Sequence, residues 1–233
     1  MTFPGDSTHS KVRRGFMVVC DGSNGAGKTT LIERLRQHLD AQGHQVVVTR
    51  EPGGTPIGEK IRELLLSQDF PEMGHLTELM LFAAARAQHL REKILPALAA
   101  GKVVLCDRFD SATVSFQHYA RGLDRQLVER INALTLDGFR PDLYLILDLD
   151  PVAGLARVRN RGESLDRLEA EQLAFLQRAR DGYLKQAQED PQRFKVLNAE
   201  RDADAVAAEA FALVDRLAEH GATSIGVAGG ASG

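Results

Sequence analysis

Cysteine is scarce in this chain and tryptophan is missing: of 233 residues, two are cysteine and none is tryptophan. The two thiols, Cys20 and Cys106, sit at the ends of apolar runs that read as buried strands. They cannot build a disulfide framework or a thiolate metal cluster, and they are expected to be small core residues in a reducing compartment. An excess of one charge is also lacking. Lys plus Arg number 29 against 32 Asp plus Glu, a net charge of −3. Nothing in that balance would hold a polyanion, so no nucleic-acid partner is expected, and any phosphate site must be a local cluster of basic residues around a small substrate. Near the start, Lys11, Arg13 and Arg14 are followed by an apolar run from Phe16 to Cys20 only. That is too short for a signal peptide or a bilayer span, which excludes a membrane partner at this point of the chain and leaves a cytoplasmic location as the expectation. Internal repeats are absent.

With 43% hydrophobic residues the chain can bury one sizeable core, and no boundary divides it. The polar stretch 1–14, containing Pro4 and Gly5, and the Gly/Ala/Ser stretch 221–233 are expected to be disordered, leaving one domain over 15–220.

The informative stretch begins at residue 16. A short apolar strand runs into Gly22-Ser23-Asn24-Gly25-Ala26-Gly27-Lys28-Thr29, followed by Thr30 and an apparent helix, and this matches G-x-x-x-x-G-K-[ST] in full. Glycines let consecutive backbone N–H groups curl around phosphate oxygens, and the helix N-terminus adds its positive end. Gly22 to Thr30 are therefore the candidate ATP-binding residues. Lys28 would reach the β and γ phosphates, and Thr29 would ligate magnesium. A plain glycine-rich turn is the competing reading, but the complete motif between strand and helix argues for phosphate binding.

Leu31, Leu35 and Leu39 at helical spacing, then Val46-Val47-Val48, form a β-α-β unit, which favours a parallel sheet with right-handed crossover. Arg50-Glu51-Pro52-Gly53-Gly54-Thr55-Pro56 follows as a rigid turn at a strand end. From Leu76 to Ala100 the pattern is helical and apolar on more than one side, ending or kinking at Pro96. Val103 to Cys106 leads into Asp107-Arg108, with Asp110 and Asp124 as candidate helix caps. Leu143 to Leu147 ends at Asp148, with a helix from Pro151. Phe194 to Leu197 is a fifth strand, and Val206 to Leu217 a closing helix. This alternation predicts an α/β fold with a five-stranded parallel sheet flanked by helices, with ligands at the carboxyl ends of the strands. The P-loop, Arg50, Asp107-Arg108 and Asp148 should then surround one cleft.

Taken in order, GSNGAGKTT, TREPGGT (49–55), LFAAARAQH (81–89), DRFDSATVSFQHYARGLD (107–124), FRPDLYLILD (139–148) and RVRNRGESLDRLE (157–169) resemble the thymidylate kinase family from about Phe16 to Leu217. The resemblance implies the fold of P-loop nucleoside triphosphate hydrolases and transfer of the γ-phosphoryl group from ATP to a deoxynucleoside monophosphate, dTMP being the expected acceptor. It also implies a homodimer. By it, Asp107 holds magnesium through water and Arg108 grips the acceptor phosphate, with Arg50 nearby. Phe82 stacks on the pyrimidine and Arg86 donates to its carbonyl, while Thr113 and Gln117 lie beside the base. The ring of Phe116 crowds the sugar 2′ carbon. Without the resemblance, Phe82 belongs in the core. Arg157 and Arg161 would be lid arginines that neutralise charge on the transferred group, since Ala26 stands where some relatives carry a basic residue. Asp166 and Glu169 match lid carboxylates. Asn24 departs from the family, which usually has Asp or Glu there, and it leaves open a kinase of another acceptor, such as a modified deoxypyrimidine monophosphate. A nucleotide-binding regulatory switch is the other open reading.

Overall fold

The computed structural model describes residues 15–160, 167 and 171–220. The expectations for 1–14 and 221–233, and for Arg161, Asp166 and Glu169 in the lid stretch, lie outside the described residues. Five strands, β1 (Met17–Gly22), β2 (Val46–Arg50), β3 (Val103–Asp107), β4 (Leu143–Asp148) and β5 (Phe194–Asn198), form one sheet in the order β2-β3-β1-β4-β5. Every neighbouring pair is parallel. The inner strands β1, β3 and β4 read as apolar runs because both faces are covered, whereas the edge strands β2 and β5 are only partly buried and leave Val48 and Val196 exposed. On one face Val18 and Cys20 meet Leu31, Leu35 and Leu39 of α1 (Lys28–Ala41) and Val206, Ala210 and Val214 of α9 (Ala203–His220). On the other, Met17 and Val19 meet Leu90, Ile94, Phe109 and Tyr183. Burial keeps both thiols protonated: it pushes Cys20 and Cys106 up, helped for Cys20 by the Asp107 and Asp21 carboxylates. They are core residues, as expected.

The register fixes where the chemistry lies. Asp107 pairs with Cys20 on one side and with Arg50 on the other, so the ends of β1, β2 and β3 are level. The chain fills one side of β1 and then crosses to β4 on the other side, and this change of direction opens the cleft at the strand ends.

Helical details differ from the sequence pattern. The long apolar helix is α3 (His75–His89), a π-helical turn Leu90–Ile94, and α4 (Leu95–Ala99). Pro96 does not stop it at once: it has no N–H to donate backward, and the wider turn just before it accommodates that loss. After β3, α5 (Asp110–Thr113) also passes into a π-helical segment, Val114–Ala120. Asp110 is not a cap. Its carboxylate accepts from Tyr144 Oη at 2.7 Å, and the cap position falls on Phe109. Asp124 does cap α6 (Arg125–Leu136), accepting from the Leu127 amide at 2.9 Å. The remaining helices are α2 (Pro56–Leu66), α7 (Pro151–Arg159) and α8 (Leu173–Glu189). Among the described residues no helix is long and apolar enough to cross a membrane.

Candidate active site

The loop between β1 and α1 takes its shape from glycine. Gly25 has φ 71°, and a Cβ there would lie 2.3 Å from the Gly154 carbonyl oxygen. Gly27, with φ 93°, opens α1, and a Cβ on it would meet no atom within 4 Å, which leaves room for a phosphate against the helix N-terminus. Ser23 Oγ anchors the back of the loop by donating to the Leu149 carbonyl at 2.9 Å, and Ala26 is buried beneath it. Lys28 Nζ donates to the Ser23 carbonyl at 2.9 Å. Gly22 leads in from the end of β1. Asn24, Gly25, Gly27, Lys28, Thr29 and Thr30 line a cleft of about 570 Å³.

Arg108 is held from several directions. It is one of two non-glycine residues with positive φ among the described residues, at 65°. Such a backbone costs of order 1–3 kcal/mol and persists only where the surroundings fix it. Here its amide donates to the Cys20 carbonyl at 3.0 Å. Its Nη1 donates to Asp21 Oδ1 at 2.9 Å, the Gly22 carbonyl at 3.1 Å and Tyr183 Oη at 2.8 Å, and its Nη2 donates to Asn24 Oδ1. Asp21 is fully buried and also accepts from the Gly22 amide, Ser111 Oγ and Tyr183 Oη. Burial and the adjacent Asp21 carboxylate push the Tyr183 phenol well above its usual range, so it remains a donor. The guanidinium lies 5.2 Å from the centre of the Phe116 ring. Asp107, half-buried at the end of β3, lines the cleft beside it.

A second arginine sits deeper. Arg86 on α3 is 2% exposed and makes four hydrogen bonds to protein: Nε to Glu51 Oε2 at 2.8 Å, Nη1 to Asn132 Oδ1 at 2.9 Å, and Nη2 to the Phe109 carbonyl at 3.1 Å and Thr113 Oγ1 at 2.8 Å. A guanidinium has five N–H bonds, so among the described residues one on Nη1 is left for whatever enters the cleft that Arg86 lines. Glu51 Oε1 faces His89 Nδ1 at 3.1 Å, and His89 Nε2 faces Thr49 Oγ1 at 2.7 Å. This chain of contacts ties the turn after β2 to α3. Gly54 presses on the imidazole so closely that a Cβ would fall 2.5 Å from His89 Nε2.

Phe82 does not join either core: it is half-buried and lines the cleft, one turn before Arg86. Thr113, Phe116 and Gln117 line the same cleft, as does Arg50, which is exposed and donates to Glu59 Oε2 at 2.9 Å. Gln117 is fully buried, and its Oε1 has no hydrogen-bond partner among the described residues. Arg157 is not brought in. Its Nη1 turns to the Ala199 carbonyl at 3.2 Å, beyond the end of β5. Arg161 lies outside the described residues.

Sequence reasoning passed over Glu51, Glu78, Arg62 and Tyr183. Glu51 carried a signal within the TREPGGT turn. Arg62 lines the cleft and donates to the Pro52 carbonyl at 3.0 Å, but as one arginine on an exposed helix it carried none.

A family model described as Thymidylate kinase matches residues 20–210 of the chain. A protein named thymidylate kinase from Geotalea uraniireducens (strain Rf4) is 46% identical over 211 residues, covering 88% of this chain and 99% of that protein. Another so named, from Desulfosudis oleivorans, is 48% identical over 206 residues, covering 86% and 96%. The crystal structure of thymidylate kinase from Ehrlichia chaffeensis superposes with a TM-score of 0.71 at 31% identity, covering 87% of this chain and 99% of that one.

Proposed function

The chain belongs to the thymidylate kinase family and phosphorylates dTMP to dTDP with ATP as donor, and we propose that both substrates meet end to end in the cleft between Lys28 and Arg86. The observation that carries this reading is that Lys28 at the end of the loop, Arg108 just after β3 and Arg86 of α3 line one cavity. Phosphoryl transfer needs two anionic groups in line and their charge neutralised, with little covalent work for the protein. Gly22 to Thr30 cradle the triphosphate, and Arg108 with Arg50 clamps the acceptor phosphate. Thr29 and Asp107 offer a hydroxyl and a carboxylate, hard oxygen donors that would suit magnesium. Bound there, the ion supplies neutralisation of the β and γ oxygens.

At the far end, Phe82 stacks on the base. The second Nη1 proton of Arg86 and the Oε1 of Gln117, neither with a partner among the described residues, are a donor and an acceptor on residues that line one cleft. Thymine presents the complement, a C4 carbonyl and an N3–H, whereas cytosine presents the reverse. Phe116 closes over the sugar 2′ carbon and favours deoxyribose. Arg157 and Arg161 remain proposed lid arginines; Arg157 would have to leave the Ala199 carbonyl to reach the transferred group.

Asn24 places a neutral amide where the family usually has a carboxylate, and its oxygen is occupied by Arg108. A coupled ADP-release assay across nucleoside monophosphates should find dTMP the best acceptor, with Asn24→Asp raising kcat/KM for dTMP severalfold. No turnover of dTMP beside good turnover of another monophosphate would overturn the acceptor assignment.

Two further proposals concern the assembly and its setting. Leu76 and Met80, 53% and 54% exposed, and Ala84, also exposed, follow one another at helical spacing along α3, an apolar stripe that suits a homodimer. A monomeric mass in solution would contradict it. Two buried thiols that do not pair fit the reducing cytoplasm.

A further inference from the structure

We propose that Glu78 is a positioning residue for acceptor recognition: by fixing which end of the Gln117 carboxamide faces the cleft, it sets the site to receive a ring N–H and to refuse a bare ring nitrogen. The inference rests on the reading of Phe82, Arg86 and Gln117 as the seat of the base.

Glu78 lies on α3 one turn before Phe82 and is 1% exposed. Its Oε1 accepts from Gln117 Nε2 at 2.6 Å and from Arg121 Nε at 3.1 Å. Its Oε2 accepts from Arg121 Nη2 at 3.2 Å and from Arg167 Nη2. Burial alone would push the Glu78 carboxyl up, but the hydrogen bonds from Arg121, Gln117 and Arg167 outweigh it and hold it below the usual carboxylate range. It is therefore ionised and can only accept. Only the NH₂ end of the Gln117 amide can face it, so the carbonyl end must face away, and its oxygen is the atom left without a partner among the described residues.

A carboxamide is nearly symmetric in shape, and its two ends differ only in whether they donate or accept. A glutamine free to turn would accept from thymine N3–H in one orientation and donate to the unprotonated N3 of cytosine in the other. Glu78 removes the second orientation. Its own position is fixed by cations on two other parts of the chain: Arg121, whose guanidinium also lies 4.6 Å from the centre of the Phe175 ring, and Arg167, whose Nε donates to the Leu65 carbonyl at 2.9 Å. None of this is needed to hold a phosphate. The cluster makes sense as a device for reading one edge of a base.

The test is the ratio of kcat/KM for dTMP to that for dCMP at saturating ATP, in the wild type, Glu78→Gln and Glu78→Asp. In Glu78→Gln the carboxylate becomes an amide that can pair with either end of Gln117, and the ratio should fall about tenfold or more, with KM for ATP within about twofold of wild type. Glu78→Asp keeps the charge facing both arginines but withdraws it from Gln117, so a smaller fall is expected. It decides the matter if Glu78→Gln does not fold. A lesion that only loosened the fold would lower both acceptors together and leave the ratio where it was; that result in a folded variant overturns the inference. A wild type that turns over dTMP while the ratio stays fixed in the variants sinks this inference alone, whereas a wild type inactive on dTMP sinks the acceptor reading and this inference with it.

Discussion

Arg86→Met is expected to lower the free energy of unfolding by about 3–5 kcal/mol, the cost of leaving one member of a buried ion pair without its partner. Arg86 and Glu51 have side chains 2% and 4% exposed, and 2.8 Å separates Arg86 Nε from Glu51 Oε2. Methionine fills much the same volume, so the loss is electrostatic more than steric. It leaves the Glu51 carboxylate facing only His89, and it strands the acceptors on Asn132, Thr113 and Phe109. Against a usual total of about 5–15 kcal/mol, that is roughly a fifth of the stability or more. Urea unfolding, read as a shift of the midpoint at constant slope, measures it. Glu51→Leu added to Arg86→Met should recover part of the loss, because an apolar pair of similar volume carries no unmatched charge. A single-variant loss below about 1 kcal/mol would mean that the pair is hydrated in solution and that the base-side wall of the cleft is not rigid.

The P-loop was legible in the sequence because its chemistry is local: Gly22 to Thr29 are consecutive, and the backbone they need is written in the positions of Gly25 and Gly27. The sheet was legible for a related reason. The run Leu143 to Leu147 has no polar alternation, as suits a parallel strand covered on both faces, whereas the equally apolar Val46-Val47-Val48 lies on the edge strand β2 and leaves Val48 exposed. The gathering of Arg50, Asp107 and Arg108 then followed from topology, since parallel strands align their carboxyl ends, but Asp148, expected with them, does not line the cleft and accepts from Arg180 instead. Partner choice was not legible. Nothing in the spacing of Glu51, Arg86 and His89 says that they join, because the contact depends on how α3 lies against the turn after β2. Phe82 sits on an apolar stripe like a core residue, and only the shape of the cleft distinguishes it. Asp110 has the look of a cap, but Tyr144 from β4 competes for its carboxylate with a better hydrogen bond. The spacing of Arg157 suggests a lid arginine, yet its long side chain finds the Ala199 carbonyl. The π-helical turns at Leu90–Ile94 and Val114–Ala120 leave no mark in the periodicity.

In the proposed arrangement one cavity seats two nucleotides head to head, with loop amides on the triphosphate and arginines on the monophosphate. A single molecule in which adenosine and thymidine are joined 5′ to 5′ through a polyphosphate chain spans both seats, so its second half binds intramolecularly. Affinity about 10²–10⁴-fold above that of either nucleotide alone is expected on that basis. Calorimetric titration of the protein with this molecule in the presence of magnesium, repeated with saturating ATP and with saturating dTMP, should show that gain and its loss to either competitor. Binding no tighter than that of one nucleotide, displaced by ATP or by dTMP but not by both, would mean that the two seats do not lie end to end, and the account would be wrong.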